Sequence, residues 1–374
     1  MAAPSSSSPR PTIVIIGAGV IGLTCALSIQ DALPEKSYDV LIVAQEWPGQ
    51  YDSSADYASA WAGAHVRPIP ASTPQLVREA AWLRRTAEVF CYQAAREPWT
   101  GVIATPAVEL LASPDAAYRA QTAASFAAET GLTGYRALKS SELPVGTTLG
   151  FGYDTYCVNA PVYCTALLRR FLLRGGRTLK RSLRSVDEAF ALPENHGIVK
   201  LVVNASGVGF GDPKSFPTRG QIVLTNLTVL DPKTTTRQNT DGTWSFVIPR
   251  ALEGGTIIGG TKEPHDWCAE PRLATRQTLL SKALTELGTE ALGLPKTTTS
   301  LGAEVVIKDV VGRRPTREGG MRIEVEKPDN SRGRRGPVVH AYGAGGRGFE
   351  ISWGVAEEVA GLVISQVTPV KARL

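Results

Sequence analysis

The chain has 374 residues, 43% of them hydrophobic and 20% charged, with Lys+Arg 40 against Asp+Glu 35 and a formal charge of +5. At roughly 150 residues per domain that length suggests two domains, or one large one with an insertion, and the ordinary apolar content excludes general disorder. No run approaches the roughly 18 consecutive apolar residues of a spanning helix, so no membrane segment is expected, and the charge is spread too thinly for a nucleic-acid surface.

The dense basic stretch Arg332, Arg334 and Arg335 lies between two glycines and reads as a solvated loop. It has no interleaved aromatic residues on which bases could stack, so nucleic acid is not an expected partner. Five cysteines with no C-x-x-C pair point to a reducing compartment without a disulfide framework. Four scattered histidines make no metal-ligand spacing, so no metal is expected.

Taken in chain order, Met1 to Pro11 is a Ser- and Pro-rich tail with no apolar core of a secretory signal. Thr12 to Ile16 is a β-branched run suited to a strand buried on both faces. It leads into Gly17-Ala18-Gly19-Val20-Ile21-Gly22, then a helical stretch to Leu33, then a second apolar strand, Val40 to Ala44, followed by Gln45-Glu46. This is β-α-β with G-x-G-x-x-G at the first turn. Gly17 permits the tight turn, Gly19 lets backbone approach a pyrophosphate, and Gly22 lets helix and strand pack closely. The helix N-terminus at Val20 and Ile21 then offers free N–H groups to the phosphates, and Glu46 can accept from a ribose hydroxyl. The motif alone leaves NAD and FAD open.

Helical spacing follows over Thr73 to Arg96 and Pro161 to Leu173, the latter stopped by Gly175-Gly176. Strands are expected at Val199 to Asn204, Gln221 to Leu230, Trp244 to Pro249, Thr256 to Gly260, Val305 to Lys308 and Val338 to Tyr342. The last leads through Gly343-Ala344-Gly345-Gly346-Arg347-Gly348 and Phe349 into a helix, Glu350 to Ser365. Two glycine-rich turns at opposite ends of the chain suit a long, extended FAD better than NAD, because its pyrophosphate and its ring need separate support.

Several segments together resemble one family, the D-amino-acid and D-aspartate oxidases. They are Val14 to Leu23, Trp61-Ala62-Gly63-Ala64-His65, Gly152-Tyr153-Asp154-Thr155, Val203-Asn204-Ala205-Ser206-Gly207, Ile248-Pro249-Arg250, Gly259-Gly260-Thr261, Val311-Gly312-Arg313-Arg314-Pro315 and His340-Ala341-Tyr342-Gly343. The resemblance runs in order from about residue 12 to 365, and its D-aspartate members of fungal type are the nearer ones.

The resemblance implies an α/β fold: a Rossmann-like FAD-binding domain of the glutathione-reductase type, with an antiparallel-sheet substrate domain. The FAD domain is expected at 12–70, 150–210 and 335–366, and the substrate domain at 71–149 and 211–334. Residues 1–11 and 367–374 are then tails. Ser53, Ser54, Ala62, Gly63, Ser206, Gly343, Gly345, Gly346, Arg347, Gly348 and Phe349 join Gly17 to Gly22 and Glu46 as the cofactor cradle. The flavin is expected to be non-covalent, since no cysteine follows Cys268.

By the same resemblance, Arg314 grips the substrate α-carboxylate with its planar fork, and the Gly346 carbonyl accepts from the amine. Arg313 is expected on the opposite face, as a surface charge. Phe246 stands where the family normally has a Tyr, so one hydrogen bond to the carboxylate is lost. Lys262 stands where D-aspartate oxidases carry a basic residue, and a Lys there can pair with a side-chain carboxylate. His65 lies near the flavin and is a candidate substrate contact.

The activity implied is oxidation of acidic D-amino acids to the 2-oxo acid, ammonia and H2O2, with hydride passing to flavin N5 and O2 as acceptor. The alternatives are an oxidase of neutral D-amino acids, with Lys262 turned to solvent, and a non-enzymatic NAD-sensing module. The final Ala372-Arg373-Leu374 has the small-basic-Leu pattern of a peroxisomal address. A peroxisomal matrix location and an import-receptor partner are therefore expected, and an oligomer is left open.

Overall fold

The computed structural model describes residues 10–34, 37–50, 52–193, 196–228, 232–332 and 336–368. Most of the tail Met1 to Pro11, two arginines of the basic loop (Arg334 and Arg335) and the tripeptide Ala372-Arg373-Leu374 lie outside the described residues.

Strands, numbered in chain order, form two sheets. The first is six-stranded and centres on β1 (Thr12–Ile16), every residue of which is buried. Beside it run β2 (Asp39–Ala44) and β8 (Val199–Asn204), both parallel to it. Outside these lie β7 (Arg177–Lys180) and β16 (Val338–Tyr342), again parallel, and β15 (Arg322–Glu326) closes the edge antiparallel. The spatial order is β15-β16-β8-β1-β2-β7.

Alternation explains the layering, because successive side chains leave opposite faces of a strand. Ile13, Ile15, Val203 and Val339 pack with α1 (Val20–Ala32) and the C-terminal helix Ser352–Val367. Val14, Ile16, Val202 and Val338 turn to the other face and pack with Val186, Ala189 and Leu192. Each such side chain contributes about 1.5–3 kcal/mol on burial. Strand order reverses beside β1, so the carboxyl ends of β1 and β8 open onto a crevice suited to a dinucleotide.

The second sheet is larger and mostly antiparallel. It holds β3 (Ala64–His65), β4 (Val102–Leu111), β5 (Arg136–Ala137), β6 (Leu149–Val158), β9 (Ser215–Thr225), β10 (Thr234–Gln238), β11 (Trp244–Pro249), β12 (Thr256–Gly259), β13 (Glu263–Pro264) and β14 (Val306–Arg317). Its order is β13-β9-β12-β11-β10-β4-β6-β3, with β14 paired to β9 and β5 to β6. Val223, Val247 and Ile258 pack beneath the helix Leu273–Lys282. The other face carries Ile222, Phe246, Ile248, Ile257 and Val310, which pack with Cys157 and Trp61.

Four expectations are corrected. The expected strand Val305 to Lys308 runs on to Arg317, because its whole length finds a partner in β9. The strand expected at Gln221 to Leu230 instead spans Ser215–Thr225. β3 and β6, placed with the cofactor domain on sequence position, pair with each other in the second sheet, where β6 also pairs with β4. β15, placed with the substrate domain, pairs with β16 in the first. The helix Pro74–Arg96 stands where expected, capped by the Thr73 hydroxyl, which accepts from the Leu76 N–H.

Candidate active site

The first glycine turn is shaped by close approach. Gly17 has φ +104, and a β-carbon there would collide with the Ala205 carbonyl at the end of β8. One at Gly22 would strike the Gly17 carbonyl. Gly19 caps α1 in extended conformation. Two side chains clamp this turn that the sequence did not single out. The Tyr57 hydroxyl donates to Ala18 O at 2.7 Å, and the Ser59 hydroxyl accepts from Val20 N at 3.0 Å. Glu46, after β2, accepts from both the N–H (2.6 Å) and the hydroxyl (2.7 Å) of Ser54. The carboxylate therefore orders the loop that carries Ser53 and Ser54, and a carboxylate retains further lone pairs for a ribose.

The second glycine turn comes to the same place. Gly343 (φ +89) donates to Gly207 O at 2.8 Å, and Gly345 (φ +57) donates to Pro315 O at 2.8 Å. A β-carbon on Gly348 would stand 3.5 Å from Val20 Cγ1, so this turn rests on the start of α1. The Ser206 hydroxyl, at the end of β8, is enclosed and has no hydrogen-bond partner.

Two members of the expected cradle serve differently. The Arg347 side chain is held by Glu79 and Glu350. Phe349 is buried in the core beside Tyr163. These contacts fix the turn, whose backbone N–H groups remain the part of it that faces a cofactor on the expected reading.

Arg314 stands on β14 opposite Thr218. Its Nη1 donates to Thr261 O at 3.0 Å, and among the described residues it has no acidic partner. Burial pushes the guanidinium below its ordinary pKa, with the charge of Glu263 acting in the other direction. The group lies against Gly220, where any β-carbon would overlap it, and beside Gly346. A half-buried cation resting on glycine and aimed at no carboxylate of its own is a socket for an anion.

Phe246 lies on the same face. It is opposite Gly259, Gly259 is opposite Ile222, and Ile222 is four pairs, an even number, along β9 from Thr218–Arg314. Its ring covers Gly259 and Gly260, where a side chain would collide with it.

Lys262 follows the Thr261 carbonyl that receives Arg314, but its side chain is exposed. The contact with Arg314 is made by the Thr261 carbonyl, and no Lys262–Arg314 contact is seen among the described residues. His65, on β3, has an enclosed Nε2 with no partner. Burial and the neighbouring Arg67 charge pull its pKa to about 3, so the ring is neutral.

Arg313 is corrected: it is no surface charge. It pairs with Asp56 at 2.8 Å, lies over the Trp267 ring, and donates its backbone N–H to Ala55 O at 2.8 Å. It thereby ties the free edge of β14 to the loop ahead of α2 (Ala58–Trp61). The sequence also passed over Arg219, which is 0% exposed and grips Glu263, Cys268 O, Gln221 and Glu270 O. A lone Arg between Thr and Gly carries no signal of burial.

The residues present fit FAD. Two glycine turns meet at the start of α1, where the Val20 N–H, expected to be free, is taken by Ser59, and an unpartnered Ser206 hydroxyl awaits an acceptor or donor. Residues 12–362 match the family model described as FAD dependent oxidoreductase. The chain is 43% identical over 370 residues, 95% of each chain, to a D-aspartate oxidase of Talaromyces thermophilus. It is 30% identical to a D-amino-acid oxidase of Schizosaccharomyces pombe, over 96% of this chain and 98% of that one. Among solved structures, a glycine oxidase from Geobacillus kaustophilus superposes with TM-score 0.68 at 19% identity, covering 96% of each chain.

Proposed function

The chain belongs to this family of FAD-dependent oxidoreductases, and from that premise we propose that it oxidatively deaminates acidic D-amino acids, D-aspartate first, to the 2-oxo acid, ammonia and H2O2. The observation that carries the reading is the half-buried, acid-free guanidinium of Arg314 beside Gly346, in a chain so similar to a D-aspartate oxidase.

When bound, FAD supplies the hydride acceptor and passes the electrons to O2. The protein supplies position. Arg314 takes the α-carboxylate in two parallel hydrogen bonds and so fixes the substrate in rotation as well as place. The Gly346 carbonyl takes an N–H of the amine, which sets which hydrogen of Cα points away from the sheet. Phe246 closes one side with an apolar ring and excludes water.

No side-chain base is required of this arrangement. His65, held neutral with a pKa of about 3, is too weak a base to take an ammonium proton at pH 7. The ammonium proton is therefore released to water as the substrate enters, and the amine presents its lone pair as the free base. Lys262 provides a positive charge for the distal carboxylate. The flavin is held without a covalent bond, by backbone N–H groups and the Ser206 hydroxyl.

A second reading, oxidation of neutral D-amino acids, draws on the exposure of Lys262. H2O2 release from D-Asp, D-Glu, D-Ala and L-Asp tests both. Faster turnover of D-Ala than of D-Asp refutes the acidic reading, and no H2O2 from any D-amino acid refutes both.

We place the protein in the peroxisomal matrix, addressed through Ala372-Arg373-Leu374 to the import receptor. The support is the tripeptide pattern and the H2O2 product. A fluorescent fusion that stays punctate after the tripeptide is deleted refutes this.

A further inference from the structure

The odd-and-even alternation of β11 sends four side chains to the face of the candidate site, and each meets a different part of it. Trp244 lies under the Arg67 guanidinium at 4.1 Å, and Phe246 covers Gly259 and Gly260. Ile248 Cδ1 would stand 3.4 Å from a β-carbon on Gly63, and Arg250, at the strand's end, donates from Nη2 to Ala62 O at 2.8 Å. Three of the four have an obvious packing role. The fourth is a cation.

Arg250 has no acidic partner among the described residues, and its Nε is enclosed with no hydrogen-bond partner at all. Burial lowers its pKa to about 10, which leaves it charged at pH 7. Burying a charge without a counter-ion costs several kcal/mol, and an apolar side chain would fill the same space at less cost. The backbone beneath it is firmly held: Arg250 N donates to Gly255 O at 3.0 Å, and Asn159 Nδ2 donates to Ala251 O at 2.8 Å. The guanidinium is thus presented to Ala62 from a fixed base. The loop itself approaches as closely as it does only because residue 63 is Gly, since a β-carbon there would come to 2.9 Å from Ile257 Cγ2.

We propose that Arg250 is a positioning residue for the cofactor loop, fixing the Ala62–Gly63 peptide through the Ala62 carbonyl and setting a half-buried positive charge, its Nε enclosed, behind it. The proposal rests on the reading that this loop lines the flavin. A cation on a peptide oxygen polarises the whole peptide unit and makes the attached Gly63 N–H a stronger donor. A fixed positive charge in a low-dielectric wall also favours whichever redox state of a neighbouring group is the more negative. Arg250 therefore acts on both cofactor affinity and potential, and touches no substrate.

The test uses apoprotein reconstituted with FAD, read by quenching of flavin fluorescence, by the flavin midpoint potential and by the melting temperature of the apoprotein. Arg250→Met should weaken FAD binding by about tenfold or more, some 1.4 kcal/mol, and move the potential to more negative values, with apoprotein melting nearly unchanged. Arg250→Lys, which keeps charge and donor, should restore most of the potential. Arg250→Gln, which keeps a donor alone, should not, and this pair decides the matter if the Met variant does not fold. Lower melting with unchanged affinity and potential, or a Gln variant that restores the potential as well as Lys does, overturns the proposal. Gly63→Ala separates the two readings. If it leaves the flavin spectrum and potential unchanged, the loop does not line the flavin. If it shifts them while Arg250→Met does not, only the role of Arg250 fails.

Discussion

A β-carbon placed on Gly346 would stand 3.4 Å from Arg314 Cδ and 3.7 Å from its Nε, so the second glycine turn forms one wall of the guanidinium socket. The same turn rests through Gly348 on Val20, the first residue of α1. The first glycine turn, the second glycine turn and Arg314 are therefore packed together, although they come from residues 17–22, 343–348 and 314. The turn cannot move without disturbing both neighbours, and the ion pairs of Arg347 with Glu79 and Glu350 hold it still.

Arg314→Ala should lose nearly all turnover of D-Asp while keeping its flavin. Truncating one member of a buried charge pair costs about 2–5 kcal/mol, or roughly 30- to several-thousand-fold at about 1.4 kcal/mol per decade. Arg314→Lys should also be poor, because an ammonium lacks the planar fork. Steady-state kcat/KM beside the visible flavin spectrum checks both points, and activity within about threefold of wild type, well under the tenfold that 1.4 kcal/mol represents, removes Arg314 from the site.

Gly22→Ala should impair the fold and the cofactor site together. The added methyl meets the Gly17 carbonyl, which is backbone and cannot swing aside. Overpacking of this kind typically costs about 1–3 kcal/mol. Apoprotein melting should fall and FAD affinity should drop more steeply, since the displaced turn is the phosphate site. Unchanged FAD affinity would show that the turn does not carry the phosphates.

Lys262→Met decides between the acidic and neutral readings. It keeps an unbranched stem and removes the charge, so kcat/KM for D-Asp should fall about tenfold or more, the worth of one modest ion pair. D-Ala should be little affected. The ratio of the two constants is the measurement, because general damage lowers both alike. A fixed ratio would leave Lys262 the exposed charge that it is before substrate binds.

Asp212 should stabilise the fold in a pH-dependent way. Burial alone would raise its pKa, but hydrogen bonds from Arg317, the Lys214 N–H and Tyr342 outweigh burial and hold it at about 2. A carboxylate depressed in the folded state contributes above its unfolded pKa near 3.8, and that contribution is lost as pH falls through about 2. Asp212→Asn should therefore melt well below wild type at pH 6, and the gap should close between about pH 4 and pH 2. A gap of constant size would show that the hydrogen bonds matter and the charge does not.

Much of the cofactor half was legible from residues alone. A β-branched run, three spaced glycines and an acidic residue after the next strand are local patterns, and local sterics decide them. Gly17 needs its positive φ whatever packs around it, and β1 is buried whichever strands flank it. Arg314, Phe246 and Gly346 were reached through resemblance to a family, and the structure places them on one face.

What the tertiary structure alone decided was the partner of each charge. Arg313 and Arg314 are neighbours in sequence, yet strand alternation sends one to Asp56, 257 residues away, and the other to an acid-free socket. Arg219, Arg250 and Arg347 look alike in sequence, but one is neutralised by Glu263, one by Glu79 and Glu350, and one by no acid among the described residues. Likewise β6 and β15 changed sheets relative to expectation, because strand pairing is a contact between distant segments. Periodicity states which face a side chain leaves from. Only the fold determines what waits on that face.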